Sequence, residues 1–226
     1  MYKIYRKFLI IFIFFINLST LQAQLPDGFV YLKNYIPDIV TELRYASTNN
    51  FTGKPVPGYE EEIVITTRQA AEALQKIQNE LEEKGFCLKI FDAYRPQQAV
   101  TSFIEWSRKP GDTLKKQEFY PQKKKRNLFN LGFIATKSGH SRGSTFDLTL
   151  VNANTLEEVD MGGSFDFFGA ISHHNYPELT KEQISNRKLL KSVMIKYGFR
   201  PYYKEWWHYT LRNEPFPDTY FDFKVQ

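Results

Sequence analysis

The sequence predicts a single α+β domain with a mainly antiparallel central sheet flanked by helices. Three observations lead there. Apolar residues recur at helical spacing in some segments and alternate at strand spacing in others. The two kinds of segment mix without the strict alternation that an all-parallel sheet would show. The 226 residues, 42% of them apolar and including 20 Phe, 14 Tyr and 3 Trp, suit one packed core.

The first residues stand apart from that core. Lys3, Arg6 and Lys7 precede an unbroken apolar run from Phe8 to Ile16, and Leu21-Gln22-Ala23 then offers a small residue for cleavage. This is the order of a secretory signal peptide. A membrane anchor is the alternative, but a spanning helix needs about 20 apolar residues. Asn17, Ser19, Thr20 and Gln22 interrupt this run early. Residues 1–23 are therefore read as a signal peptide and residues 24–226 as the folded domain, periplasmic or secreted, with no stable membrane insertion after cleavage.

Charge points to no nucleic-acid partner. The net charge is +5, and Lys3, Arg6 and Lys7 are lost with the signal peptide, which leaves +2. The run Lys123-Lys124-Lys125-Arg126 reads as a solvated loop. It lacks the interleaved aromatics of a single-strand binding groove. Cys87 is the only cysteine, so no internal disulfide forms. It lies among apolar neighbours and reads as a small buried hydrophobe. No feature of the sequence sets an oligomeric state.

The elements follow in order. Ala70, Leu74, Ile77 and Leu81 predict a helix over 67–84, which Gly85 stops. Phe86 to Phe91 predicts a strand. Asp92-Ala-Tyr-Arg-Pro96 leaves that strand and starts a second helix, with Ala99, Val100, Phe103 and Ile104 on one face. Residues 108–136, rich in Lys, Pro, Gly and Asp, read as a long excursion. Phe146 to Val151 predicts a strand whose alternation separates Asp147, Thr149 and Val151 from Phe146, Leu148 and Leu150. Thr180 starts a helix, with Gln183 placed for a capping box. Leu189, Leu190, Val193, Met194 and Tyr197 form its stripe, and Gly198 ends it. His208 to Leu211 reads as a last short strand.

Two stretches carry the candidate chemistry, Ser138-Gly-His-Ser-Arg-Gly-Ser-Thr-Phe-Asp147 and Glu205-Trp-Trp-His-Tyr209. His140, Asp147 and His208 make a common three-ligand set for a catalytic zinc, which leaves a fourth position open. An aspartate on an apolar strand is costly to bury unpaired, and a divalent cation would remove that cost. Glu205, three residues before a ligand, is free to act as a base. Together they are the minimum kit for metal-assisted amide hydrolysis. In a straight strand Glu205 and His208 would point to opposite faces. The backbone at Trp206-Trp207 must therefore turn or bulge, and the two tryptophans could then wall the site. Adjacent His173 and His174 diverge and are expected to do no more than pack a loop or sit in an outer shell. Arg95 has two readings: an ion pair with Asp92 or another acid, or a fixed cation at a developing oxyanion.

The chain resembles the D-alanyl-D-alanine dipeptidases of the zinc peptidase family M15. The resemblance runs over nearly all of residues 24–226. Leu43-Arg-Tyr-Ala46, Asn50-Phe-Thr-Gly53 and Pro57-Gly-Tyr59 look like the family's N-terminal signature. Asp92-Ala-Tyr-Arg-Pro96 looks like its arginine motif. Ser138 to Leu150 and Glu205 to Tyr209 look like its two zinc motifs, and Met161-Gly162, Phe165-Asp166 and Ser172-His-His174 also recur in it.

The resemblance implies the fold of the hedgehog and D,D-peptidase group and a small, enclosed site in a catalytic domain over 24–226. It implies one Zn2+ per chain on His140, Asp147 and His208, with Glu205 activating water and passing its proton to the leaving amine. It implies Arg95 as the oxyanion partner, with Asp166 and Ser138 lining the substrate pocket. The substrate implied is a small dipeptide, D-Ala-D-Ala, whose ammonium Asp166 could meet. A D,D-carboxypeptidase acting on peptidoglycan stem peptides would share the metal chemistry but needs an open groove. A non-catalytic wall-binding module with a structural zinc would have no use for Glu205.

Overall fold

The computed structural model describes residues 24–226, and the expected signal peptide, residues 1–23, lies outside them. The strands and helices run in the order β1 (Phe29–Tyr31), β2 (Val40–Thr41), β3 (Ile65–Thr67), α1 (Arg68–Glu82), β4 (Phe86–Asp92), α2 (Gln97–Ser107), α3 (Lys116–Phe119), β5 (Thr145–Asn152), α4 (Lys181–Lys196), β6 (Phe199–Tyr202) and β7 (Glu205–Leu211). Among the described residues no helix is long and apolar enough to cross a membrane.

The helical periodicities translate into buried faces. Ala70, Leu74, Ile77 and Leu81 of α1 are all fully buried. Full burial of a leucine or isoleucine contributes about 1.5–3 kcal/mol each, so this stripe fixes α1 over the sheet. Gly85 follows the helix at φ +79, a left-handed conformation that glycine adopts without steric cost. On α4 the capping box is present: Thr180 Oγ1 accepts from Gln183 N at 3.2 Å, and Gln183 Oε1 accepts from Thr180 N at 3.0 Å. Leu190, Val193 and Met194 are buried beneath it.

The main sheet has the order β2-β4-β5-β7-β6, and β1 and β3 form a separate antiparallel pair. The expectation of a mainly antiparallel sheet is met in part. β4–β5, β5–β7 and β7–β6 are antiparallel, but β2 pairs with β4 in parallel, so the sheet is mixed. β2 is two residues long, too short to leave an alternation in the sequence. The intervening β3 and α1 supply the crossover that a parallel pairing requires.

The sheet is covered on both sides. Phe146, Leu148 and Leu150 are fully buried, and Asp147, Thr149 and Val151 of the opposite face are nearly so. The excursion over 108–136 is more ordered than its composition suggested. It contains α3 and a 3-10 turn at Lys125–Asn127, and it buries Phe119, Tyr120, Leu128 and Ile134. Its basic run is not wholly solvated. Lys125 is buried, donates to Lys109 O at 2.9 Å and Asp112 O at 2.6 Å, and lies 4.0 Å from the Trp106 ring centroid. Carbonyl oxygens and an aromatic face replace water around its ammonium. Cys87 is half-buried, and burial pushes its thiol pKa up.

Candidate active site

Two breaks in strand register build the site, as bulges often do beside functional centres. Along β4 and β5 the pairing runs regularly to Ile90↔Leu148 and then slips, so that Asp92 stands beside Asp147. On the far side Asp147 pairs with His208 of β7. Asp92, Asp147 and His208 thus form one row across β4, β5 and β7. The second slip lies between β6 and β7, where Pro201 faces Tyr209 but Tyr202 faces Glu205. Trp206, Trp207 and His208 are left without partners on β6. This is the bulge that the Glu205–His208 spacing required, and it brings Glu205 Oε2 to 3.5 Å from His208 Nδ1.

His140 arrives from a loop. Ser138 caps the 3-10 turn Gly139–Arg142, its Oγ accepting from His140 N at 3.3 Å. Gly143 ends the turn at φ +82, and a Cβ there would lie 2.2 Å from the Phe29 ring. Only glycine satisfies both demands. His140 Nδ1 lies 2.8 Å from Ala93 O. A hydrogen on Nδ1 donated to that carbonyl leaves Nε2 as the free lone pair.

The three candidate ligand groups converge, with one atom from each within 4.8 Å of the others and both Asp147 oxygens facing the histidines. His140 Nε2 is 3.2 Å from Asp147 Oδ2 and 3.3 Å from His208 Nδ1, and His208 Nδ1 is 3.0 Å from Asp147 Oδ1. Tetrahedral ligation with bonds of about 2.0–2.1 Å requires ligand atoms about 3.3 Å apart. The donor set therefore fits a zinc-sized ion. Burial works to raise the Asp147 pKa, but His140 and His208 hold it well below the usual carboxylate range. Burial lowers the pKa of His140. Burial also works to lower that of His208, but Asp147 outweighs it and the value is raised.

The remaining sequence-named residues meet the cluster in one cavity of about 310 Å³, lined by Arg95, Ser138, His140, Asp147, Asp166, Glu205 and His208 among others. The ion-pair reading of Arg95 is met, and the guanidinium also lines the cavity. It pairs with Asp92 at 2.8 Å, and it reaches Asp147 Oδ2 at 3.3 Å from the cavity wall. Burial pushes the Glu205 carboxyl up to about 7, with His208 pulling it down and Asp147 pushing it up. Burial, and then Asp147, push Asp166 well above the usual range, while a hydrogen bond from Tyr45 opposes them.

Several assignments differ from expectation. Trp206 and Trp207 are buried but line no part of this cavity. Trp206 Nε1 donates to Gly163 O at 3.1 Å, and Trp207 packs edge-on against Phe165. The bulge turns them into the core, and Tyr45, Phe51, Phe103, Phe133 and Phe168 form the apolar wall instead. His173 and His174 stand outside the cavity, which agrees with the minor role expected of them. Tyr45 belongs to the Leu43-Arg-Tyr-Ala46 motif, and its hydroxyl donates to Asp166 Oδ2 at 2.7 Å. The contact spans 121 residues of chain, and no local pattern announces it.

A mixed α+β domain that sets two histidines and a carboxylate around one point, with a second carboxylate beside them, is that of a metal-dependent hydrolase. Residues 26–226 match the sequence model of the M15 peptidases, described as D-Ala-D-Ala dipeptidase, and the chain belongs to that family of metallopeptidases. Its relatives include proteins named D-alanyl-D-alanine dipeptidase. One from Enterococcus faecalis is 42% identical over 199 residues, covering 88% of this chain and 98% of the relative. One from Streptomyces coelicolor is 43% identical over 197 residues, covering 87% and 98%. One from Escherichia coli is 34% identical over 182 residues, covering 80% and 83%.

Proposed function

We propose that the protein is an exported zinc dipeptidase of D,D-peptidase-like fold that hydrolyses D-alanyl-D-alanine. The observation that carries this reading is the placement of Glu205. Its carboxylate stands beside the ligand cluster but outside it, with a pKa lifted to about 7. A structural metal site has no use for such a base. One zinc ion on His140, Asp147 and His208 would supply a Lewis acid and lower the pKa of water at the site.

The chain's own groups account for the rest. Glu205 takes a proton from the attacking water and returns it to the leaving amine. Arg95 keeps a positive charge beside the cluster, where negative charge develops on the carbonyl oxygen. Asp166, steadied by Tyr45, meets the substrate ammonium, and that ammonium supplies a counter-charge to the buried carboxyl. Ser138 uses its oxygen to cap His140 and keeps its hydroxyl hydrogen to donate to the substrate.

The test is a panel of free D-Ala-D-Ala, N-acetyl-D-Ala-D-Ala, L-Ala-L-Ala and a stem pentapeptide. Turnover confined to the free D,D-dipeptide is the expected result. Equal turnover of the acetylated dipeptide or the pentapeptide would replace this reading with a carboxypeptidase, and no turnover at all would favour a binding module.

A further inference from the structure

Asp92, the last residue of β4, has no exposed surface, so each of its oxygens needs a partner. Oδ2 accepts from Arg95 Nε and lies 2.8 Å from Nη2, with His140 Nδ1 at 3.4 Å. Oδ1 accepts from the Tyr59 hydroxyl at 2.6 Å. Tyr59 is itself buried and its loop is pinned by the C-terminal segment. Val225 N donates to Gly58 O at 2.8 Å, and Glu60 N and Glu61 N donate to Val225 O at 2.9 and 3.1 Å. Gly58 takes φ +92 against Pro96 and Gln98, which lets the Pro57-Gly-Tyr59 turn approach the start of α2.

Arg95 sits between two carboxylates, Asp92 at 2.8 Å and Asp147 at 3.3 Å, with its guanidinium over the rings of Tyr45 and Phe103. Its place along that line depends on where the Asp92 oxygens point. We propose that Tyr59 is a positioning residue for the reaction: it fixes the Asp92 carboxylate, which holds the Arg95 guanidinium at the cavity. Without the phenol hydroxyl, Oδ1 is left unpaired in a dry place. The carboxylate then rotates toward another donor and takes the guanidinium with it. Burial and the neighbouring Asp92 raise the Tyr59 pKa well above its ordinary value, so the phenol stays a donor. The inference rests on Arg95 acting at the oxyanion, and it adds the residue that aims it.

The test uses the zinc-loaded full chain in a cycle of Tyr59→Phe, Arg95→Lys and the double variant, with D-Ala-D-Ala as substrate. Tyr59→Phe should keep zinc content and fold, lower Tm by several degrees because a buried oxygen loses its partner, and lower kcat by about tenfold with little change in KM. In the Arg95→Lys background the same change should cost no more than about twofold, because coupled residues are not additive. An equal loss in both backgrounds, or no loss in either, overturns the proposal. If Tyr59→Phe does not fold, Asp92→Asn takes its place in the same cycle under saturating zinc. Parental turnover in both Arg95→Lys and Arg95→Ala would remove the oxyanion assignment itself, an outcome distinct from loss of the Tyr59 role alone.

Discussion

Asp147 and His208 are direct partners on the antiparallel strands β5 and β7, and Asp147 Oδ1 lies 3.0 Å from His208 Nδ1. Strand pairing alone thus sets two of the three candidate ligands. His140 comes instead from a loop, held by a capped turn and by Ala93 O. All three are needed to hold the ion. His140→Ala and His208→Ala should each lose most of the bound zinc, measured by elemental analysis on purified protein. The parent should hold about one ion per chain, as a three-ligand catalytic site does. Full occupancy in both variants would refute the ligand set.

Glu205 separates base from ligand. Glu205→Gln should retain zinc and fold but lose about 10²–10⁴ in kcat, because a neutral amide takes no proton from water. Loss of zinc in this variant would make Glu205 a ligand. Retained activity would assign the base elsewhere.

Much of the site was legible because its chemistry is packed into two short stretches. Spacing alone required a bulge between Glu205 and His208, since opposite faces of a straight strand cannot reach one site. Helices α1 and α4 were legible from their stripes and stop signals. The short strands β1, β2 and β3 were not, because two or three residues carry no period. The partners of Arg95 and Asp166 were legible only in part. Tyr59 meets Asp92 from 33 residues away and Tyr45 meets Asp166 from 121, so only tertiary structure joins them. Trp206 and Trp207 were misplaced for the converse reason. The bulge that frees Glu205 also swings the indoles into the core.

Export is checked at the mature N-terminus. Protein recovered from its native host should begin near Gln24 and lie outside the cytoplasm. N-terminal sequencing that finds Met1 intact would point to a retained anchor.

His174 gives a pH dependence independent of the metal. Among the described residues its Nε2 is buried without a hydrogen-bond partner, and its ring packs edge-on against Tyr209. Burial, aided by Lys191 and Arg187, lowers its pKa from 6.5 to about 4. Between these values the unfolded chain binds a proton that the folded chain does not, so stability falls as pH drops from 6.5 toward 4. At 1.36 kcal/mol per pKa unit the loss is at most about 3 kcal/mol, less what solvent at the exposed part of the ring screens. His174→Gln should flatten the fall in Tm over this range relative to the parent at equal zinc. Parallel curves for the two proteins would show that His174 does not titrate there.

Asp166 decides between dipeptidase and carboxypeptidase. It is held at φ +60, an uncommon conformation for a residue with a side chain, and is nearly buried in a cavity whose wall includes Phe51, Phe103 and Phe168. In this apolar setting a carboxylate facing a substrate ammonium forms a charge-assisted hydrogen bond stronger than a neutral one. Removing it leaves the ammonium without a partner, at a cost of about 3–4 kcal/mol, as for other broken buried pairs. Asp166→Ala should therefore lower kcat/KM for D-Ala-D-Ala by about 10²–10³-fold, at 1.36 kcal/mol per decade. Zinc content should not change, since Asp166 lies outside the ligand cluster. Tyr45→Phe should cost less, because it removes one hydrogen bond to the carboxylate and leaves the charge. If Asp166→Ala cleaves the free dipeptide as well as the parent does, the ammonium is not held there. The amino end of the pocket would then be open, and selection for a free dipeptide would have no structural basis.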